Sequence, residues 1–176
     1  MAAPLLQPPF GPDDHVDGDP AAPHVLLMFG DFECPYCAAA QSIVARVRKR
    51  MGDELRFAFR HFPIDEAHPQ ARLAAEASEA AAAQGGFWPM HDALYAARGH
   101  LARADLLSAV GGLGLDAARV AEELDAGRWS ARVQAGQDSG RESGVTGTPA
   151  FFVNGVLHTD AFDAGSLVEA LRRAAP

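Results

Sequence analysis

The sequence predicts an α/β fold whose two halves are separated by an all-α insertion. Three observations carry that expectation. The apolar run Val25–Phe29 leads through Gly30 and Asp31 into a helical pattern headed by Cys34-Pro35-Tyr36-Cys37. Leu55–Phe62 (LRFAFRHF) sets Leu55, Phe57, Phe59 and His61 against Arg56, Ala58 and Arg60, the period of two that marks a strand. From about residue 66 to residue 143 only helical patterns occur, and strand character returns at Ala150–Val153.

A chain of 176 residues with 48% hydrophobic content can bury a substantial core without disulfide staples. The formal charge of −8 disfavours non-specific nucleic-acid binding. No stretch approaches the roughly 18 apolar residues of a membrane span, so neither nucleic acid nor membrane is an expected partner. The opening MAAPLLQPPFGPDD has no basic region and no sustained apolar run, and so does not read as a secretory signal. The expected compartment is the cytoplasm; a chain trimmed of a leader would instead be periplasmic or exported.

Taken in order, residues 1–23 carry many Pro, Gly and Asp and read as an extended, loosely ordered arm, with His15 and His24 as solvated loop residues. Residues 24–65 form the first α/β half. In it a strand over His24–Gly30 precedes a helix over Pro35–Met51, with Ile43, Val44 and Val47 inward, which Gly52-Asp53 ends. The strand at Leu55–Phe62 then completes a right-handed βαβ unit with parallel strands, closed by Pro63. Residues 66–143 form the helical insertion. Its helices are expected at Ala71–Gln84, Phe87–Arg98 (with Pro89 in the first turn), Arg103–Val110, Asp116–Asp125 and Trp129–Arg141. Residues 144–176 form the second half: a strand at Ala150–Val153, an Asn154-Gly155 hairpin turn, a return strand at Val156–Thr159, and a helix over Phe162–Ala174 with Phe162, Leu167, Val168 and Leu171 inward.

The chemistry concentrates in the Cys-x-x-Cys motif, which holds both cysteines of the chain. Two intervening residues on a helix's first turn bring the sulfurs within bonding reach, so they can form and reopen a disulfide. Cys34 would lie at the positive end of the helix dipole, which favours thiolate, the attacking species. Pro35 suits the first helical position, where its missing N–H costs nothing. Cys37, a turn further in, would be the more buried thiol. Zinc normally takes four ligands, and neither a second Cys-x-x-Cys nor a closely spaced His pair is present; no metal or organic cofactor is implied. Pro149 precedes a strand although it cannot donate to a ladder. A cis Thr148–Pro149 bond explains this and leaves the Thr148 backbone open to an extended peptide. The dipeptide alone also allows a trans proline, and the Cys-x-x-Cys elsewhere favours cis.

Together, FGDFECPYC, the FRHFPI strand end, the FWPMHDALY helix and GVTGTPAFFVNG resemble the DsbA-like thioredoxin-fold proteins over roughly residues 13 to 173. The resemblance implies a thioredoxin fold with its helical insertion between the βαβ and ββα halves, and thiol–disulfide exchange with protein or peptide substrates. It makes Cys34 the nucleophile, Cys37 the resolving cysteine, Pro149 the cis-proline and Thr148 a binder of substrate backbone. Tyr36, between the cysteines, is expected to be exposed and to contact substrate. Phe32, Phe87 and Trp88 offer apolar surface around the motif, although core packing is the expected fate of Phe87 and Trp88.

One departure stands out. Thioredoxins and many relatives place a buried acid six positions before the first cysteine, and here that position is Met28. Asp31 and Glu33 are nearer in sequence, and the expectation for both is a solvated loop carboxylate. Deprotonation of Cys37 would then rely on water, with slower exchange. Glutathione or another redox protein is the expected electron partner, with the direction of flow open. A non-catalytic thioredoxin-fold peptide-binding or chaperone-like module is the alternative class, and glutathione-using transferases of the same fold are a third.

Overall fold

Val25–Phe29 becomes the centre of strand β2 (His24–Gly30), buried along nearly its whole length. A run apolar on both faces suits a strand covered on both sides, which β2 is. The computed structural model describes residues 3–174. Strand β1 is His15–Asp17, helix α1 is Pro35–Met51, and a 3-10 turn at Gly52–Glu54 leads into β3 (Leu55–His61). Five helices follow: α2 (Ala71–Ala82), α3 (Phe87–Ala96), α4 (Arg103–Gly112), α5 (Ala117–Asp125) and α6 (Ser130–Glu142). Strands β4 (Ala150–Val153) and β5 (Val156–Leu157) and helix α7 (Ala164–Arg173) close the chain.

The chain divides into two units. The first, residues 1–30, 39–60 and 138–176, holds the sheet in the order β1-β3-β2-β4-β5. That sheet is mixed: β1–β3, β2–β4 and β4–β5 are antiparallel, leaving β3–β2 as the parallel pair that α1 connects. The register sets Met28 opposite Phe151 and Leu27 opposite Phe152, and the Phe29 and Phe152 rings meet edge-on at 5.6 Å. Helix α7 packs on β2 and β4. This is a thioredoxin fold with the helical insertion that the motifs imply.

Two expectations about the first unit change. The N-terminal arm is stitched onto the sheet: β1 pairs with β3 from His15↔Phe59 to Asp17↔Phe57, Leu5 bridges to Val156, and Leu6 is buried. Arg60 anchors it by pairing with both oxygens of the Asp14 carboxylate, 2.9 Å to Oδ2, and donating to the Pro8 carbonyl. His15 therefore lies in a strand, and His24 opens β2. Phe162 lies ahead of α7 and is 46% exposed; Asp163 caps the helix by accepting from the backbone N–H groups of Gly165 and Ser166, so the helix starts only at Ala164.

The second unit, residues 31–38 and 61–137, is built around α2, which contacts α3, α4 and α5. Its Ala-rich sequence makes a thin helix that neighbours approach closely, and Ala71, Ala74, Ala75, Ala77, Ala80 and Ala81 are all buried. Residues of α6 do the same at Gly136, where an added Cβ would stand 2.7 Å from the His61 carbonyl oxygen. Gly136→Ala is therefore expected to cost about 1–3 kcal/mol by overpacking, measured as a lower urea midpoint with an unchanged slope. Gln137 secures the same contact, donating to the Pro63 carbonyl at 2.6 Å and accepting from Arg72 at 3.0 Å.

Candidate active site

Cys34 is the residue that α1 starts from. Its carbonyl accepts the first intrahelical bond, from the Ala38 N–H at 3.1 Å, and Pro35 takes the first helical position. Cys37 lies in the first turn and heads the buried stripe Cys37, Ala40, Val44, Val47 and Met51, spaced alternately by three and four residues. No acidic residue occupies the first turn, and Arg48, Lys49 and Arg50 occupy the last, a charge order that complements the dipole. Cys34 is 3% and Cys37 0% exposed, whereas Tyr36 between them is 69% exposed. The motif thus presents one aromatic side chain to solvent above two sheltered sulfurs.

Asp31 shapes the turn before Cys34, and it is not the solvated loop carboxylate expected. Its side chain is fully buried. Oδ1 accepts from the backbone N–H groups of Glu33 at 2.8 Å and Cys34 at 3.2 Å, and Oδ2 accepts from that of Ile64 at 2.9 Å. Oδ2 also lies 2.7 Å from His68 Nδ1. Glu33 is engaged too, its Oε2 accepting from the Gln70 N–H at 2.7 Å. The physical reason is local. An Asp three residues before a helix start can satisfy backbone donors that would otherwise be orphaned, and those bonds offset its desolvation.

His68, with 18% of its side chain exposed, is the solvent-side member of this group. Burial works against its protonation, but the hydrogen bond to Asp31 and the charges of Asp31, Cys34 and Glu33 outweigh it, and its pKa is raised. A raised histidine contributes stability fully below the unfolded value of about 6.5 and loses it as pH rises through the folded value. Urea unfolding stability is accordingly expected to fall across that interval, and His68→Gln is expected to remove that step.

Behind the motif stands an aromatic cluster. Phe32 is buried, with its ring 5.0 Å from Tyr95 and 5.8 Å from both His61 and His91. Phe87, also buried, meets Trp88 edge-on at 5.1 Å. Of the four aromatics that offer apolar surface, only Tyr36 is exposed and Trp88 is half-buried, while Phe32 joins Phe87 in the interior. Tyr95 is buried as well. Burial first, then the negative charges of Cys37, Asp31 and Cys34, hold its pKa well above the ordinary value of 10.0. Tyr95 therefore keeps its proton beside Cys37. Tyrosinate absorbance of the folded protein is expected to fall one group short of the chain's two tyrosines until alkaline unfolding releases it.

In the first unit, Thr148 and Pro149 are half-buried at the entrance to β4, and the peptide bond between them is cis. Met28, at the position where relatives carry an acid, is fully buried and accepts a contact from Gln41 Nε2 at its sulfur, 3.8 Å away. Sequence reasoning undervalued Asp31 and overlooked His68 and Tyr95. The Asp-x-x-Cys spacing is a helix-capping signal that points to Asp31, whereas His68 and Tyr95 have no local signature.

A family model described as thioredoxin matches residues 11–173. The chain is 43% identical over 172 residues to the Na(+)/H(+) antiporter NhaA 1 of Salinispora arenicola (strain CNS-205), a match covering 96% of this chain and 26% of that protein. It thus spans about a quarter of the length of the curated relatives it matches. Among solved structures, oxidised BdbD from Bacillus subtilis superposes with a TM-score of 0.87 at 22% identity, covering 98% of this chain and 97% of that one. A thioredoxin-like oxidoreductase from Silicibacter pomeroyi DSS-3 gives 0.82 at 26% identity, with 93% and 92% covered. Alpha-DsbA1 of Wolbachia pipientis gives 0.77 at 17% identity, with 95% and 93% covered.

Proposed function

This chain belongs to the thioredoxin family, and from that premise we propose that it is a thiol–disulfide oxidoreductase exchanging disulfides with protein substrates through Cys34 and Cys37. The observation that carries this reading is the placement of the chain's two cysteines at the start and in the first turn of α1. The Cys34 thiolate attacks a substrate disulfide, forming a mixed disulfide and releasing one substrate thiolate. The Cys37 thiolate then attacks the Cys34 sulfur, which frees the second substrate thiol and leaves a Cys34–Cys37 disulfide. Run backwards, the same steps donate a disulfide. The helix dipole supports the first step, and Tyr95, held neutral near Cys37, adds no negative charge to oppose the second.

Substrate contacts in this reading come from the exposed Tyr36 ring and from the backbone of Thr148 ahead of Pro149, as the family resemblance implies. In a reducing cytoplasm, net flow would run toward substrate reduction, with glutathione or a redox protein restoring the dithiol. Trapping tests the proposal. Cys37→Ser cannot resolve the mixed disulfide, so incubation with a disulfide-bonded protein is expected to accumulate a covalent adduct on Cys34 that reductant releases. Absence of any adduct, with Cys34 still reactive to alkylation, would contradict it.

A further inference from the structure

We propose that Asp31 and His68 form the charge pair that sets the ionisation of Cys34, Asp31 fixing the imidazole in place and His68, as imidazolium, stabilising the Cys34 thiolate. The inference rests on the redox reading only for its consequence; the contacts of Asp31 with Cys34 and His68 carry its geometry, and the charge interaction between His68 and Cys34 supports it. A buried carboxylate bonded to the Cys34 N–H through one oxygen opposes a second negative charge on the neighbouring sulfur. Its other oxygen is 2.7 Å from His68 Nδ1, where a protonated ring cancels the carboxylate. His68 also reaches solvent, so it exchanges its proton while Asp31 remains sealed. Met28, six residues before Cys34, is fully buried and carries no titratable group.

The charges acting on His68 are those of Asp31, Glu33 and Cys34, and all three favour its protonated form. Glu33 is held to the Gln70 N–H, and from α3 Tyr95 stays neutral. His68 protonation and Cys34 ionisation therefore assist each other, and each must shift when the other is removed. As pH rises through the His68 titration, the Asp31 charge is uncovered and the thiolate loses its partner. His68 is in this sense a positioning residue whose charge, rather than its bulk, matters.

The test is a thiolate titration by ultraviolet absorbance in the Cys37→Ser background, where Cys34 is the one remaining cysteine. His68→Asn is expected to move the midpoint upward and lower the thiolate fraction below it by about tenfold, the change made by one unit. His68→Lys, which keeps a cation, is expected to restore it. An unmoved midpoint in His68→Asn, or His68→Lys titrating like His68→Asn, overturns the proposal. Should His68→Asn not fold, the reciprocal measurement decides: the His68 imidazole titration, followed by NMR, is expected to fall in Cys34→Ser, and an unchanged midpoint rejects the coupling. These readouts need no substrate. Lost midpoint coupling with normal exchange rejects the pair alone, whereas intact coupling without exchange rejects the oxidoreductase reading alone.

Discussion

Cys34→Ser is expected to slow disulfide exchange with a protein substrate by on the order of a thousandfold or more, because the hydroxyl is not ionised near neutral pH and no other thiol stands at the start of α1. Insulin-type reduction with a thiol reductant reads the loss. The same variant separates the two functional classes. An exchange enzyme loses turnover while keeping its fold, whereas a peptide-binding module keeps client binding and biological activity without the sulfur. Undiminished turnover in Cys34→Ser would remove the nucleophile from the account altogether. Urea unfolding of the variant should show a native-like midpoint, since one oxygen replaces one sulfur at a position already sheltered.

The second large effect is on stability. Asp31→Ala leaves the N–H groups of Glu33 and Ile64 without their side-chain acceptor, leaves that of Cys34 only the Asp31 carbonyl, and leaves His68 without its counter-charge. Breaking a buried, hydrogen-bonded charge pair costs about 3–5 kcal/mol, a large share of the roughly 5–15 kcal/mol that holds a domain together. Asp31→Asn retains an acceptor for part of the turn and is expected to lose less. Denaturant midpoints order the three proteins as native, Asp31→Asn, Asp31→Ala. A loss in Asp31→Ala below about 1 kcal/mol would match an exposed carboxylate and would contradict the buried role.

Local signals explain what the sequence reveals. Helix α1 is legible at both ends because Pro35 favours its first turn and Gly52, at φ +55°, stops it. The Asn154-Gly155 turn is legible because both residues take positive φ, 47° and 83°, as a two-residue hairpin requires. Phe57 and Phe59 mark β3 by alternation, and the Ala-rich run marks α2. The failures concern partners far away in the chain. Strand β1 exists because Asp17 to His15 meet Phe57 to Phe59, some forty residues on, and nothing in a Pro- and Asp-rich arm announces that pairing.

The site divides along the same line. Cys34, Cys37 and Pro35 declare themselves by spacing, and Tyr36 is exposed as its place between the cysteines suggests. The commonness of exposed acids points to a solvated Asp31, whereas its burial depends on Ile64 and His68 arriving from beyond β3. Phe32 reads as apolar surface beside the motif, but its neighbours Tyr95 and His91 come from α3 and enclose it. A residue's chemistry is readable from its type; its environment depends on segments that only the fold brings together.

The central claim is that Cys34 and Cys37 form a reversible dithiol–disulfide pair. Equilibration in glutathione buffers of graded ratio, followed by rapid alkylation and mass measurement, tests it most directly. The account predicts one two-electron transition with both cysteines protected together on the oxidised side. Its midpoint gives the direction of flow: near about −120 mV the protein donates disulfides, and near about −270 mV it reduces them. Both cysteines remaining alkylatable across the whole series, or protection only as separate glutathione adducts, would contradict the claim.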